Sequence, residues 1–105
     1  MSNTNSTVKE VVLYKVKKDH LTDYPKAVIP ELLAFLQSQK GFISHECLMA
    51  TEHQGHLVDL VSWENMDAAK ASAAEWQRRT KSGEFSTMIA AIEKVDFFDH
   101  LTTIS

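Results

Sequence analysis

A chain of 105 residues with 44% hydrophobic side chains, 24% charged ones and a formal charge of −3 has the balance of a single globular domain. That length supports one core rather than two, the acidic balance opposes a nucleic-acid partner, and no apolar run reaches the roughly 18 residues of a membrane span. Cys47 is the single cysteine, which excludes an internal disulfide framework and thiolate metal clusters.

Met1 to Thr7, MSNTNST, is polar and has neither the basic nor the apolar region of a secretory signal. Residues 1–8 therefore read as a flexible N-terminus ahead of one domain over 9–105, and cytoplasmic residence is the expectation. Lys9 to Lys18, KEVVLYKVKK, is rich in valine and predicts a first strand. Thr22 and Asp23 offer capping oxygens, and Tyr24, Val28, Leu32 and Leu36 recur on one helical face, predicting a helix to Lys40. Pro30 lies inside that helix and predicts a kink or restart, while Gly41 suits the left-handed residue beyond its end.

Phe42 to Ala50 and Leu57 to Trp63 are strand-like runs joined by the polar Thr51 to His56, which predicts a hairpin. Asn65 is a good N-cap for a second helix carrying Ala69, Ala73 and Trp76 on one face and ending near Ser82 and Gly83. Glu84 to Ile92 predicts a short extra helix and Glu93 to Leu101 a closing strand. Arg78, Arg79 and Lys81 read as a solvated helix end.

The order β-α-β-β-α-(α)-β is the ferredoxin-like α+β pattern, a four-stranded antiparallel sheet with its helices on one face. The strands are apolar on both parities: Val11 and Leu13 oppose Val12, Tyr14 and Val16, while Val58 and Leu60 oppose Leu57, Val61 and Trp63. Helices cover one face only, so a second copy of the chain is expected on the other, giving a homodimer packed sheet to sheet as an α+β barrel.

The element order, Lys40-Gly41-Phe42 before the second strand, and Trp63-Glu64 followed by Asp67-Ala68-Ala69 are similar to the antibiotic biosynthesis monooxygenase family of dimeric α+β barrels. The resemblance spans Val11 to His100. It implies an aromatic or quinol-like ligand and, in members that are enzymes, oxygenation of quinols or anthrones without metal or flavin. By the same resemblance Trp63 lines the cleft, and Asp59, four residues earlier on the same strand face, accepts the substrate's hydroxyl proton. Pairing of Asp59 with a cross-strand lysine such as Lys15 is the structural alternative. The haem-degrading branch fits poorly: the first strand has no asparagine, and Ser72 and Ala73 stand where a helix histidine is expected.

Asp59 and Trp63 are therefore the candidate catalytic residues, with Tyr14, His45, Trp76 and Phe97 as candidates for holding the ligand. No cofactor and no metal are expected. His53-x-x-His56 has a two-ligand spacing but sits at a polar hairpin tip with Glu52 as its one nearby carboxylate. The runner-up function is a non-enzymatic ligand-binding or structural dimer of the same fold, favoured by the missing helix histidine.

Overall fold

The computed structural model describes residues 7–105; most of the N-terminal segment read as flexible, residues 1–6, lies outside the described residues. β1 (Val8–Val16) is the valine-rich run, two residues shorter at its end than its composition suggests because Lys18 already starts a helix. The backbone N–H of Lys17 donates to the Ala91 carbonyl at 2.8 Å and holds the chain at that turn.

The helix expected from Thr22 to Lys40, with a kink or restart at Pro30, is two short pieces, α2 (Tyr24–Ala27) and α3 (Ile29–Gln37), preceded by a further helical turn, α1 (Lys18–Leu21). Pro30 sits in the first turn of α3, where its missing N–H costs nothing, and the break falls at Val28. Val28 still donates to Tyr24 and accepts from Leu32, at 2.9 and 3.0 Å, so the chain bends there without losing those two bonds. Neither Thr22 nor Asp23 supplies a side-chain cap, since Thr22 is itself helical and Asp23 makes no capping bond.

β2 (Phe42–Met49) and β3 (His56–Trp63) form the expected hairpin, with a bulge between Phe42 and Ser44 that leaves Ile43 exposed. Gly41, at φ +85°, turns the chain out of the α3 region; its carbonyl accepts from the Glu64 N–H at 2.8 Å and ties that turn to the end of β3. α4 (Met66–Lys81) begins as predicted, with the Ala68 N–H donating to Asn65 Oδ1 at 2.9 Å. α5 (Ser86–Ala91) leads directly into β4 (Ile92–Leu101).

The strands form one antiparallel sheet in the order β2-β3-β1-β4, a ferredoxin-like α+β arrangement. One face carries Val8, Tyr14, Val16, Leu57, Val61 and Trp63, which pack under the helices with Leu32, Phe35, Leu36, Ala69 and Met88. On the other face the register brings Leu13 beside Val58 and Phe97, and Val11 beside Leu60. No helix among the described residues is long and apolar enough to cross a membrane.

Candidate functional site

Between the sheet and helices α3, α4 and α5 lies a cavity of about 490 Å³. Leu32, Phe35, Leu36, Val61, Met88 and Ile92 make its walls apolar, and the half-exposed Ile89, Val95 and Phe98 form a rim open to solvent. Trp76 lines it from α4, stacked on Phe85 at 4.3 Å and edge-on to Phe35 at 5.3 Å. Glu10, Tyr14, Asp59 and Ser72 face the same space from the sheet and α4, with Gln77 and Lys94 also lining it. A mostly apolar hollow with a few convergent polar groups is the usual form of a small-molecule site.

Asp59 is buried, with a short run of hydroxyl and thiol groups beside it. The Tyr24 hydroxyl donates to Tyr14 Oη at 2.9 Å, which leaves the Tyr14 hydrogen free to point at Cys47 Sγ, 3.8 Å away. Cys47 lies opposite Asp59 in the β2–β3 register, and Asp59 Oδ1 accepts from His45 Nε2–H at 3.2 Å. A carboxylate only accepts, so His45 must donate to it. Burial, and then the charge of Asp59, pushes the Cys47 thiol up to about 12 and raises the Tyr14 phenol far above its ordinary range. The alternative pairing with Lys15 does not form, because Lys15 lies on the opposite sheet face with its ammonium 3.6 Å from Glu93.

Glu10 is a second carboxylate in the cavity, one strand over. His100 Nε2–H donates to its Oε1 at 3.2 Å, joining residues directly opposite each other in the β1–β4 register. Burial raises the Glu10 carboxyl above its ordinary range, opposed by His100 and by the indole of Trp63 and aided by Asp59. The sequence reading missed this residue, although a signal was present: Glu10 shares the parity of Val8, Val12 and Tyr14, the core-facing side of the first strand.

Of the sequence-derived candidates, Asp59, Tyr14 and Trp76 line the cavity together. His45 stands behind Asp59 and reaches the space only through it. Trp63 is 0% exposed and does not line the cavity; it packs edge-on to Phe42 at 6.0 Å, and its buried indole N–H makes no full hydrogen bond but lies near enough to Glu10 to lower that carboxyl. Phe97 requires correction. A register shift in β4 that skips Asp96 sets Phe97 opposite Leu13 on the far face, and its neighbour Phe98 takes the place at the cavity. Ser72, on the α4 turn where the resemblance implies a histidine, is buried and faces the cavity. His53 and His56 meet edge-on at 6.0 Å, and no cluster of three metal-ligating side chains occurs among the described residues.

The family model for antibiotic biosynthesis monooxygenase matches residues 7–91. No curated protein sequence matches the chain at a significant level. Among solved structures, a mutant of SnoaB, a cofactor-independent oxygenase from Streptomyces nogalater, is similar at 18% identity over 95% of each chain, with a TM-score of 0.76. A conserved protein from Methanosarcina mazei superposes with a TM-score of 0.74 at 12% identity over 97% of each chain. Rv0793 from Mycobacterium tuberculosis gives 0.70 at 12% identity over 95% of this chain and 97% of its own. Likenesses at such identities bear on the fold.

Proposed function

Since the chain belongs to the antibiotic biosynthesis monooxygenase family, we propose that it binds a flat hydroxylated aromatic, a quinol or anthrone, in the cavity beside Asp59 and oxygenates it with dioxygen alone. The observation that carries this reading is Asp59 itself, a buried carboxylate at the polar end of an apolar cavity and held in place by His45. Asp59 takes the acidic proton of the ligand; the resulting anion passes an electron to dioxygen, and the two radicals join to form a carbon–oxygen bond. For an anthrone the CH₂ becomes C=O and one water leaves, so the substrate is its own reductant. The apolar walls keep water from the anion, and Trp76 offers a face on which the ring stacks. Trp63 supports the strand that presents Asp59 rather than meeting the ligand.

Homodimerisation through the open sheet face is part of the same proposal. Leu13, Leu48, Phe97 and Leu101 remain exposed in the single chain, on strands whose other side is already packed. A contiguous apolar patch of that kind marks an association surface.

Oxygen uptake with a panel of quinols and anthrones tests the enzymatic reading, with product identified as quinone and Asp59→Asn as the comparison. Uptake by the wild type that is lost in Asp59→Asn supports it. Binding without uptake would sink it in favour of a non-catalytic ligand carrier, the second reading favoured by Ser72 in place of an imidazole on α4.

A further inference from the structure

We infer that Glu10 is a second catalytic carboxylate, working in the opposite protonation state to Asp59, and that His100 is its positioning residue. The inference rests on the oxygenation reading above and names a proton path for it. Glu10 faces the cavity, its Oε1 accepts from His100 Nε2–H at 3.2 Å, and the two side chains are 14% and 13% exposed. His100 comes from β4, beyond the matched segment 7–91, so the pair is completed by a part of the chain that the family match does not cover.

The reaction needs two proton-handling groups. After Asp59 has removed the first proton and dioxygen has added, the product is a peroxide anion, and Asp59 is already protonated. A protonated Glu10 gives its proton to that anion, forming a hydroperoxide. The vacated Glu10 carboxylate then removes the remaining C–H proton as the O–O bond breaks, and the departing hydroxide takes the proton held by Asp59. Carbonyl and water result, and both carboxyl groups return to their starting states. One substrate and one dioxygen give one ketone and one water, with no outside acid, base or reductant.

The surroundings of Glu10 suit the protonated start. Asp59 faces it from β3, His100 and, at the rim, Lys94 from β4, and Tyr14 lies on its own strand. From α4 come the uncharged Ser72 and Gln77, while α3 and α5 bring only apolar side chains to the cavity. Burial raises the Glu10 carboxyl, His100 and the Trp63 indole work against it, and the Asp59 charge adds a smaller push upward.

Two measurements on the full chain test the assignment. In steady-state oxygen uptake with an anthrone, Glu10→Gln lowers kcat on the order of 100-fold with KM within about twofold. His100→Gln moves the alkaline limb of the kcat–pH profile upward, because a group that lowers the Glu10 pKa is gone; a merely structural histidine would leave that limb in place. Independently of turnover, the ¹³C carboxyl resonance of Glu10, assigned by its loss in Glu10→Gln, titrates above the ordinary glutamate range and shifts further up in His100→Gln. Wild-type kcat and pH profile in Glu10→Gln, or an ordinary titration unmoved by His100→Gln, overturns the inference. If the wild type oxidises no compound of the panel, the oxygenase reading falls and the catalytic role of Glu10 falls with it, whereas failure of Glu10→Gln alone leaves that reading standing.

Discussion

His45 donates from Nε2–H to Asp59 Oδ1 across 3.2 Å, with the two side chains only 4% and 6% exposed. The bond crosses from β2 to β3 diagonally, since the register sets His45 opposite Val61 and Cys47 opposite Asp59. It therefore fixes the direction of the carboxylate as well as part of its solvation. His45→Ala removes a donor from a buried acceptor and is expected to cost about 2–3 kcal/mol, read as a lower urea midpoint with an unchanged slope. His45→Gln, which keeps a donor, recovers part of the loss.

Cys47 should resist labelling in the folded protein. With its thiol pushed up to about 12, its thiolate fraction at neutral pH is smaller than that of a free thiol by roughly three orders of magnitude. Iodoacetamide incorporation, followed by mass spectrometry, is expected to track unfolding by urea. The sign of the linked stability follows from the same shift. As pH rises from the ordinary thiol range toward 12, the unfolded chain loses this proton first, so the contribution of Cys47 to stability falls across that window.

The two tryptophans should report on different events. Trp76 lines the cavity and Trp63 is fully enclosed, so ligand binding is expected to quench Trp76 fluorescence and leave that of Trp63 nearly constant. Titrating an anthrone into Trp76→Phe should abolish the change, and titrating it into Trp63→Phe should preserve it. The reverse pattern would place the ligand elsewhere.

Gly41→Ala is expected to destabilise the chain on two grounds. The residue sits at φ +85°, and an added Cβ would lie 2.5 Å from the Cβ of Ala68. Left-handed strain alone costs about 1–3 kcal/mol, and the contact forces the start of α4 away from the turn. Thermal denaturation by circular dichroism measures the loss; Gly83→Ala, where the added carbon meets nothing within 4 Å, separates strain from contact.

Leu13→Glu should split the proposed dimer. The side chain lies at the centre of the open sheet face, 37% exposed, between Val58 and Phe97. Light scattering is expected to give twice the 11.9 kDa chain mass for the wild type and the single mass for the variant. A wild type that stays monomeric at micromolar concentration would remove the sheet-to-sheet proposal.

The element order was legible in the sequence because each element carries a local signal: valines in β1, Asn65 ahead of α4, Gly41 after α3. Asp59 was singled out through the family resemblance, four residues before Trp63 on the same strand face, and the structure sets it at the cavity with Tyr14 and Trp76. What escaped depends on features with no local signal. The choice between Phe97 and Phe98 turns on a bulge at Asp96 that neither residue announces. The Glu10–His100 pair joins positions 90 residues apart and exists only once β1 and β4 are neighbours. Division of the first helix at Val28 was foreseeable from Pro30, but the additional turn at Lys18–Leu21 was not, because Lys17 N–H finds its acceptor in Ala91, far along the chain.

Alternation along β1 has one further consequence. Even-numbered positions from Val8 to Val16, among them Glu10 and Tyr14, face the helices and the cavity, whereas odd-numbered Val11 and Leu13 lie on the open sheet face. A slip of one residue in the β1–β3 pairing would exchange the two sets, turning a carboxylate outward and a leucine into the hollow. Substitutions can therefore accumulate on either parity without touching the other. The proposed ligand site and the proposed sheet-to-sheet contact thus use separate faces of one nine-residue strand.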